Sequence, residues 1–171
     1  MDVRRVSGWN GGSMNRRLGG GIAPVSYSFS PAVGQVLTFP NVSGTINVSF
    51  GGNASPEGLP LVIGGLNYTN YDGPWNGISK FYSLRYACLV GVFLTDAEPS
   101  NPPPAFLDFI AIGTRFTNLA PQIAQIFFIG NGRTLSGRVQ QFVVPTNATR
   151  LYLGIPDSPG SHGTGTNGVG G

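Results

Sequence analysis

Few residues in this chain are of a type that does chemistry, and they are scattered along it. The one histidine, His162, is followed by GTGTNG at residues 163–168. That run matches the dinucleotide pattern G-x-G-x-x-G. Phosphate binding there requires a following helix whose N-terminal amides face the pyrophosphate, and Val169-Gly170-Gly171 cannot supply one, so the match reads as chance. His162 reads as a solvated residue of the same glycine-rich stretch, with no partner evident for a catalytic triad. Among the seven carboxylates, Asp96 and Glu98 flank a proline-rich turn. A glycosidase needs two carboxyls held ~5–10 Å apart, which a sequence does not display, and surface solubility accounts for this pair more simply. No enzyme is expected. Cys88, between Ala87 and Leu89 in an apolar run, reads as a small core residue with no intrachain disulfide. The segment Asp157-Ser158-Pro159-Gly160, reached after two strand-like runs, has the character of a ligand loop.

Length and charge narrow the field further. A chain of 171 residues fits one domain, and that length buries roughly two-thirds of its unfolded surface. Glycine (27) and proline (14) are abundant while charged residues make up 10%, a balance that suits tight turns and short strands and disfavours long helices. With 40% hydrophobic and 11% aromatic residues, the chain is too apolar for disorder throughout. The net charge of +3 resides in the leader MDVRRVSGWNGGSMNRRLGGG, where Arg4, Arg5, Arg16 and Arg17 oppose Asp2; the remainder is neutral. The leader therefore reads as a solvated basic arm, and no nucleic-acid partner is expected. The longest apolar stretch, around ACLVGVFL, is shorter than the ~18 residues of a transmembrane helix, so none is expected, and the leader lacks the apolar region of a secretory signal. Sequons at Asn41, Asn47, Asn53, Asn67 and Asn147 read as small polar strand faces or, in a secreted chain, surface acceptor sites.

The elements that must position any site follow from periodicity. VSYSFSP (25–31) and TINVSF (45–50) alternate apolar and small polar residues, as half-buried strands do. QVLTFP is another short strand, and GLPLVIGGL is apolar enough for a buried one. NYTNYDGPWNGIS (67–79), dense in Asn, Gly, Asp and aromatic residues, reads as a long exposed loop of the kind that carries sites. YACLVGVFL (86–94) is continuously apolar and reads as the central strand, covered on both faces. TDAEPSNPPP is an extended turn whose prolines cannot donate to a ladder. FLDFIAIG, IAQIFFIG, VQQFVVP and TRLYLGI follow as strands, with GNGRT (130–134) as an Asn-Gly turn making a hairpin of two of them. NLAPQIAQIFF has room for one helical turn. About nine or ten such strands predict an all-β antiparallel sandwich or jelly roll. Three segments are expected: a flexible arm over 1–21, the β-domain over 22–157 and a glycine-rich tail over 158–171.

The order LVGVFL, a proline-rich turn, FFIGNG, then QQFVVPTNATRLYLGIPDSPG resembles the galactose-binding-like sandwich domains of bacterial exported proteins with PEP-CTERM anchors. Those domains are similar in pattern to calcium-dependent galactophilic lectins of the LecA type. The likeness covers residues 60–160. In such lectins the strand resembling RLYLGI leads to an Asp, a Pro-Gly turn, a hydroxyl residue and two asparagines, all gathered on calcium, and the sugar completes the metal's six to eight oxygens through two hydroxyls. The resemblance thus implies Asp157 and Ser161 as calcium and sugar ligands, while Thr164 and Gly165 stand where the asparagine pair would be. The aromatic loop implies a Tyr71 carbonyl on the metal and Tyr71 or Trp75 as a sugar-stacking face; packing of the loop is the competing role for both rings.

The resemblance also implies a closing strand after this loop, and SHGTGTNGVGG does not supply one. Three readings stay open: a shortened variant, a vacancy filled by another chain, or closure by the N-terminal segment. An open slot would be a template for strand addition. The first functional expectation is a non-catalytic extracellular or cell-surface module binding carbohydrate, with calcium as its cofactor. The alternative is a self-assembling structural subunit of a filament, matrix or surface layer, a homo-oligomer joined through exchanged strands or terminal arms.

Overall fold

The computed structural model describes residues 25–28, 34–48, 52–63, 65–67, 69–74 and 76–156. The arm over 1–21 and the tail over 158–171 lie outside these residues. The protein is all-β, with no helix among the described residues and therefore none long and apolar enough to cross a membrane. Its strands are β1 (Val25–Ser28), β2 (Val36–Thr38), β3 (Ile46–Val48), β4 (Gly52–Ala54) and β5 (Leu59–Pro60). Then come β6 (Val62–Ile63), β7 (Leu66–Asn67), β8 (Asn70–Asp72), β9 (Phe81–Ser83) and β10 (Arg85–Tyr86). The last are β11 (Val90–Leu94), β12 (Asn118–Leu119), β13 (Ile126–Phe128), β14 (Gln141–Val143) and β15 (Arg150–Gly154). These strands are shorter and more numerous than the nine or ten expected, because prolines and left-handed backbone positions such as Ala87 (φ 53°) and Ala124 (φ 63°) interrupt the apolar runs.

The largest sheet has the order β1-β15-β11-β13, and every neighbour in it is antiparallel. β11 is its centre, and all five of its residues are buried, as the unbroken run LVGVFL predicts. Gly91 lies opposite Phe127, where an added Cβ would sit 2.6 Å from the ring, so this crossing admits no side chain. A second sheet, β12-β14-β2, joins β12 to β14 in parallel and β14 to β2 antiparallel, which departs from a purely antiparallel expectation. The two sheets share one aromatic core. Phe93 stacks on Phe127 at 5.0 Å, Phe127 meets Phe142 at 5.3 Å, and Phe142 meets Phe39 edge-on at 5.5 Å. Each fully buried Phe contributes about 1.5–3 kcal/mol of transfer free energy, so this chain of rings is the main stabilising feature. Cys88 lies fully buried in the same cluster, as expected.

Two expected strands and one expected hairpin are corrected. FLDFIAIG is a turn: Asp108 Oδ1 accepts the N–H groups of Ile110 (2.9 Å) and Ala111 (3.1 Å), and Ile112 N–H donates to the Asp108 carbonyl (2.8 Å). A side-chain acceptor that satisfies these amides removes the need for a ladder, and Ile110 and Ile112 are left exposed. GLPLVIGGL is not one buried strand. It breaks into β5 and the β6–β7 hairpin, which turns at Gly65 (φ 80°) and leaves Val62 exposed. IAQIFFIG and VQQFVVP do not form a hairpin, since β13 and β14 belong to different sheets. GNGRT is a turn as expected, with Gly132 at φ 74°, but it carries the chain across: Arg133 donates to Gly137 (2.7 Å) and Pro40 (2.6 Å) carbonyls and fixes the crossing. Around Ala124 the chain makes a turn closed by Gln125 N–H donating to the Gln122 carbonyl (3.2 Å), in place of a helical turn.

The position beside β15 is occupied. β1 pairs with it from Val25 opposite Leu153 to Ser28 opposite Arg150, while β11 holds its other edge. Of the three readings for closure, the chain's own N-terminal segment is the one observed.

Candidate functional site

The segment expected as a long loop is partly strand. β8 pairs with β9, placing Asn70, Tyr71 and Asp72 opposite Ser83, Tyr82 and Phe81. On the far side of β9, Tyr82 makes a parallel bridge with Asp108, and its carbonyl accepts the Phe109 N–H at 3.1 Å. Backbone groups of one residue in a strand point to one side. Tyr82 therefore faces away from β8, and Tyr71 opposite it belongs to a non-hydrogen-bonded pair. It follows that the Tyr71 carbonyl is turned away from β9, on the outer edge of β8.

Asn70, next to it, is fully buried. Its Nδ2 donates to the Arg85 carbonyl at 3.1 Å, while its Oδ1 has no hydrogen-bond partner among the described residues. An orphaned buried carbonyl oxygen costs about 1–3 kcal/mol unless a donor or cation reaches it. Asn70 was missed in the sequence because nothing local distinguishes it from Asn67 or Asn76; its burial depends on Arg85, fifteen residues away.

At the end of β15, Ile155 packs with Ala54 and Ala87 against Ile46, Leu59 and Tyr86, and Pro156 is buried. The chain is thus held in place up to the residue before Asp157. Asp157, Ser161 and Trp75 lie outside the described residues. Residues 85–87 are touched from both directions, by Asn70 through the Arg85 carbonyl and by Ile155 through Ala87 and Tyr86. The start of β8 and the end of β15 therefore approach the same short stretch.

Behind it, Arg85 donates to the Glu57 carbonyl at 3.3 Å, and Glu57 Oε1 accepts the Asn131 N–H at 2.7 Å. Glu57 Oε2 pairs with Arg115 Nη2 at 2.8 Å. Arg115, Arg133 and Arg150 also donate to backbone carbonyls, so these cations serve as internal clamps and not as an anion-binding face. Burial pushes the Cys88 thiol well above its ordinary range, against the smaller opposing influence of its own backbone hydrogen bond, which makes it a poor nucleophile. Asp96 accepts the Thr149 hydroxyl at 2.9 Å and lies 4.0 Å from Arg150, the pattern of a surface polar pair. Among the described residues no group of three His, Cys, Asp or Glu side chains could hold a metal. Comparison with family models, with curated proteins and with solved structures gave no match.

Proposed function

We propose that the protein is a non-catalytic carbohydrate-binding module, extracellular or at a cell surface, in which calcium assists sugar capture. The observation that carries this reading is the outward-turned Tyr71 carbonyl at the edge of β8. Calcium favours neutral carbonyl oxygens alongside carboxylates. The Tyr71 carbonyl, the Asp157 carboxylate and the Ser161 hydroxyl would hold the ion, and the orphaned Oδ1 of Asn70, the residue before Tyr71, would welcome an electron-poor neighbour. The ion's contribution when bound would be to orient and polarise two sugar hydroxyls. Tyr71 and Trp75 would offer a face to the sugar ring. With so few protein oxygens, affinity for calcium is expected to fall at the weak end of its range, about 10⁻⁴–10⁻³ M. The meeting of two sheets on one aromatic core supports the sandwich architecture that such modules use.

Retention on immobilised galactoside tests the reading. The protein should be retained in millimolar calcium and released by a chelator; equal elution in both conditions would sink it.

The self-assembly alternative loses its first motivation, because β15 is flanked on both edges by strands of its own chain. It keeps one supporting observation. Val36 and Val143 lie opposite each other and are both exposed on the β12-β14-β2 sheet. Deleting residues 158–171 separates the readings: loss of galactoside retention with an unchanged scattering mass favours the sugar module, and a changed mass favours assembly.

A further inference from the structure

Where β11 ends, the proline-rich turn folds back and forms one wall of an open cavity of about 290 Å³. This volume is close to the lower end of small-molecule sites. The turn is fixed in several places. Asn101 Oδ1 accepts the Gly77 N–H at 3.1 Å, Arg150 Nε donates to the Thr95 carbonyl at 2.9 Å, and Arg150 Nη2 reaches the Ala97 carbonyl at 3.4 Å. The cavity is therefore framed by hydrogen bonds from two separate parts of the chain and does not depend on the turn alone.

The lining has two characters. Leu94, Ile123, Ala124, Pro99 and Pro104 are its apolar lining residues, and Glu98 is the one charged residue among them. Asp96, two residues earlier, is already engaged by Thr149 and Arg150. No Lys, Arg or His lines the space. An apolar body removes water from the hydrocarbon lining at about 25 cal/mol per Å² of apolar area buried, while a carboxylate residue in the lining favours a positive group and disfavours a negative one.

We propose that this cavity binds a small organic cation with a hydrocarbon body, such as an aliphatic primary amine, with the ammonium at Glu98 and the alkyl chain against Leu94 and Ile123. This proposal does not depend on the calcium and sugar reading.

Titration of the isotopically labelled full chain with hexylammonium, followed by amide NMR shifts, tests this directly. Saturable shifts should be confined to the amides of Gly77, Thr95, Ala97, Glu98, Ser100 and Ala124. Glu98→Gln should weaken binding about three- to fivefold, the range expected for an exposed charge pair. Hexanoate should bind more weakly than hexanol, and hexanol more weakly than hexylammonium. Ala97→Trp, at an exposed lining position, should abolish the shifts while preserving the dispersion of the remaining spectrum. Absence of saturable shifts, shifts scattered over the surface, or equal affinity of wild type and Glu98→Gln would each overturn the proposal. Should Ala97→Trp fail to fold, the Glu98→Gln comparison and the ligand series decide alone.

Discussion

The sheet around β11 and the outer strand β8 of the β8–β9 hairpin are held differently. β11 and β13 are entirely buried and interlock through Phe93, Phe127 and Phe142, so their stability comes from apolar area. The β8–β9 pair is one of four two-stranded sheets. An isolated pair of this kind is marginal in water; here β9 is anchored by Phe81 in the main apolar core and by the Tyr82–Asp108 bridge, whereas β8 is the outer strand, held by its pairing with β9 and by Asn70 donating to the Arg85 carbonyl. The difference separates a scaffold that tolerates no vacancy from a periphery that presents backbone groups outward. Binding surfaces are commonly placed in such a periphery, where local opening costs less than global unfolding.

The comparison can be broken most severely at the ring in its centre. Phe127→Ala removes the side chain that contacts both Phe93 and Phe142, and urea denaturation should show a loss of about 3–5 kcal/mol. A loss below 1 kcal/mol would mean that the aromatic chain is not the main support. Glu57→Ala should cost about 1–3 kcal/mol, because the Asn131 N–H and Arg115 lose their acceptor together. Asn70→Ala should cost about 1–2 kcal/mol and act locally: hydrogen exchange should quicken in β8 and β9 while β11 keeps its protection. Equal quickening in both would dissolve the distinction between scaffold and periphery. Asp96→Asn should change stability by less than about 0.5 kcal/mol, since its carboxylate is largely exposed. Cys88 offers a chemical check on the scaffold. Its buried, pKa-raised thiol should resist alkylation in the native protein and react on unfolding.

What the sequence made legible follows the same division. LVGVFL identified β11 because a strand covered on both faces must be apolar at every position, and TRLYLGI was legible as a strand although Arg150 and Tyr152 in β15 are only half-buried. FLDFIAIG has equally apolar composition, yet Asp108 captures two amides and makes a turn, leaving Ile110 and Ile112 exposed. Composition alone does not reveal that competition. VQQFVVP was recognisable as a strand, but not its sheet: the crossing depends on Arg133 reaching Pro40, 93 residues away. Tyr71 was legible as a candidate, whereas the direction of its carbonyl follows from register with Tyr82 and the bridge to Asp108. Closure of β15 by β1 likewise needs a pairing across more than a hundred residues, which local periodicity does not encode.

The central claim, that Tyr71 and Asp157 serve one calcium ion, is tested most directly with terbium, an oxygen-seeking surrogate for calcium that luminesces when an excited Tyr or Trp is close. The account predicts sensitised emission from the wild-type chain, displaced by millimolar calcium, strongly reduced by Asp157→Asn and by Trp75→Phe. Emission that calcium does not displace, or that Asp157→Asn leaves unchanged, would contradict it.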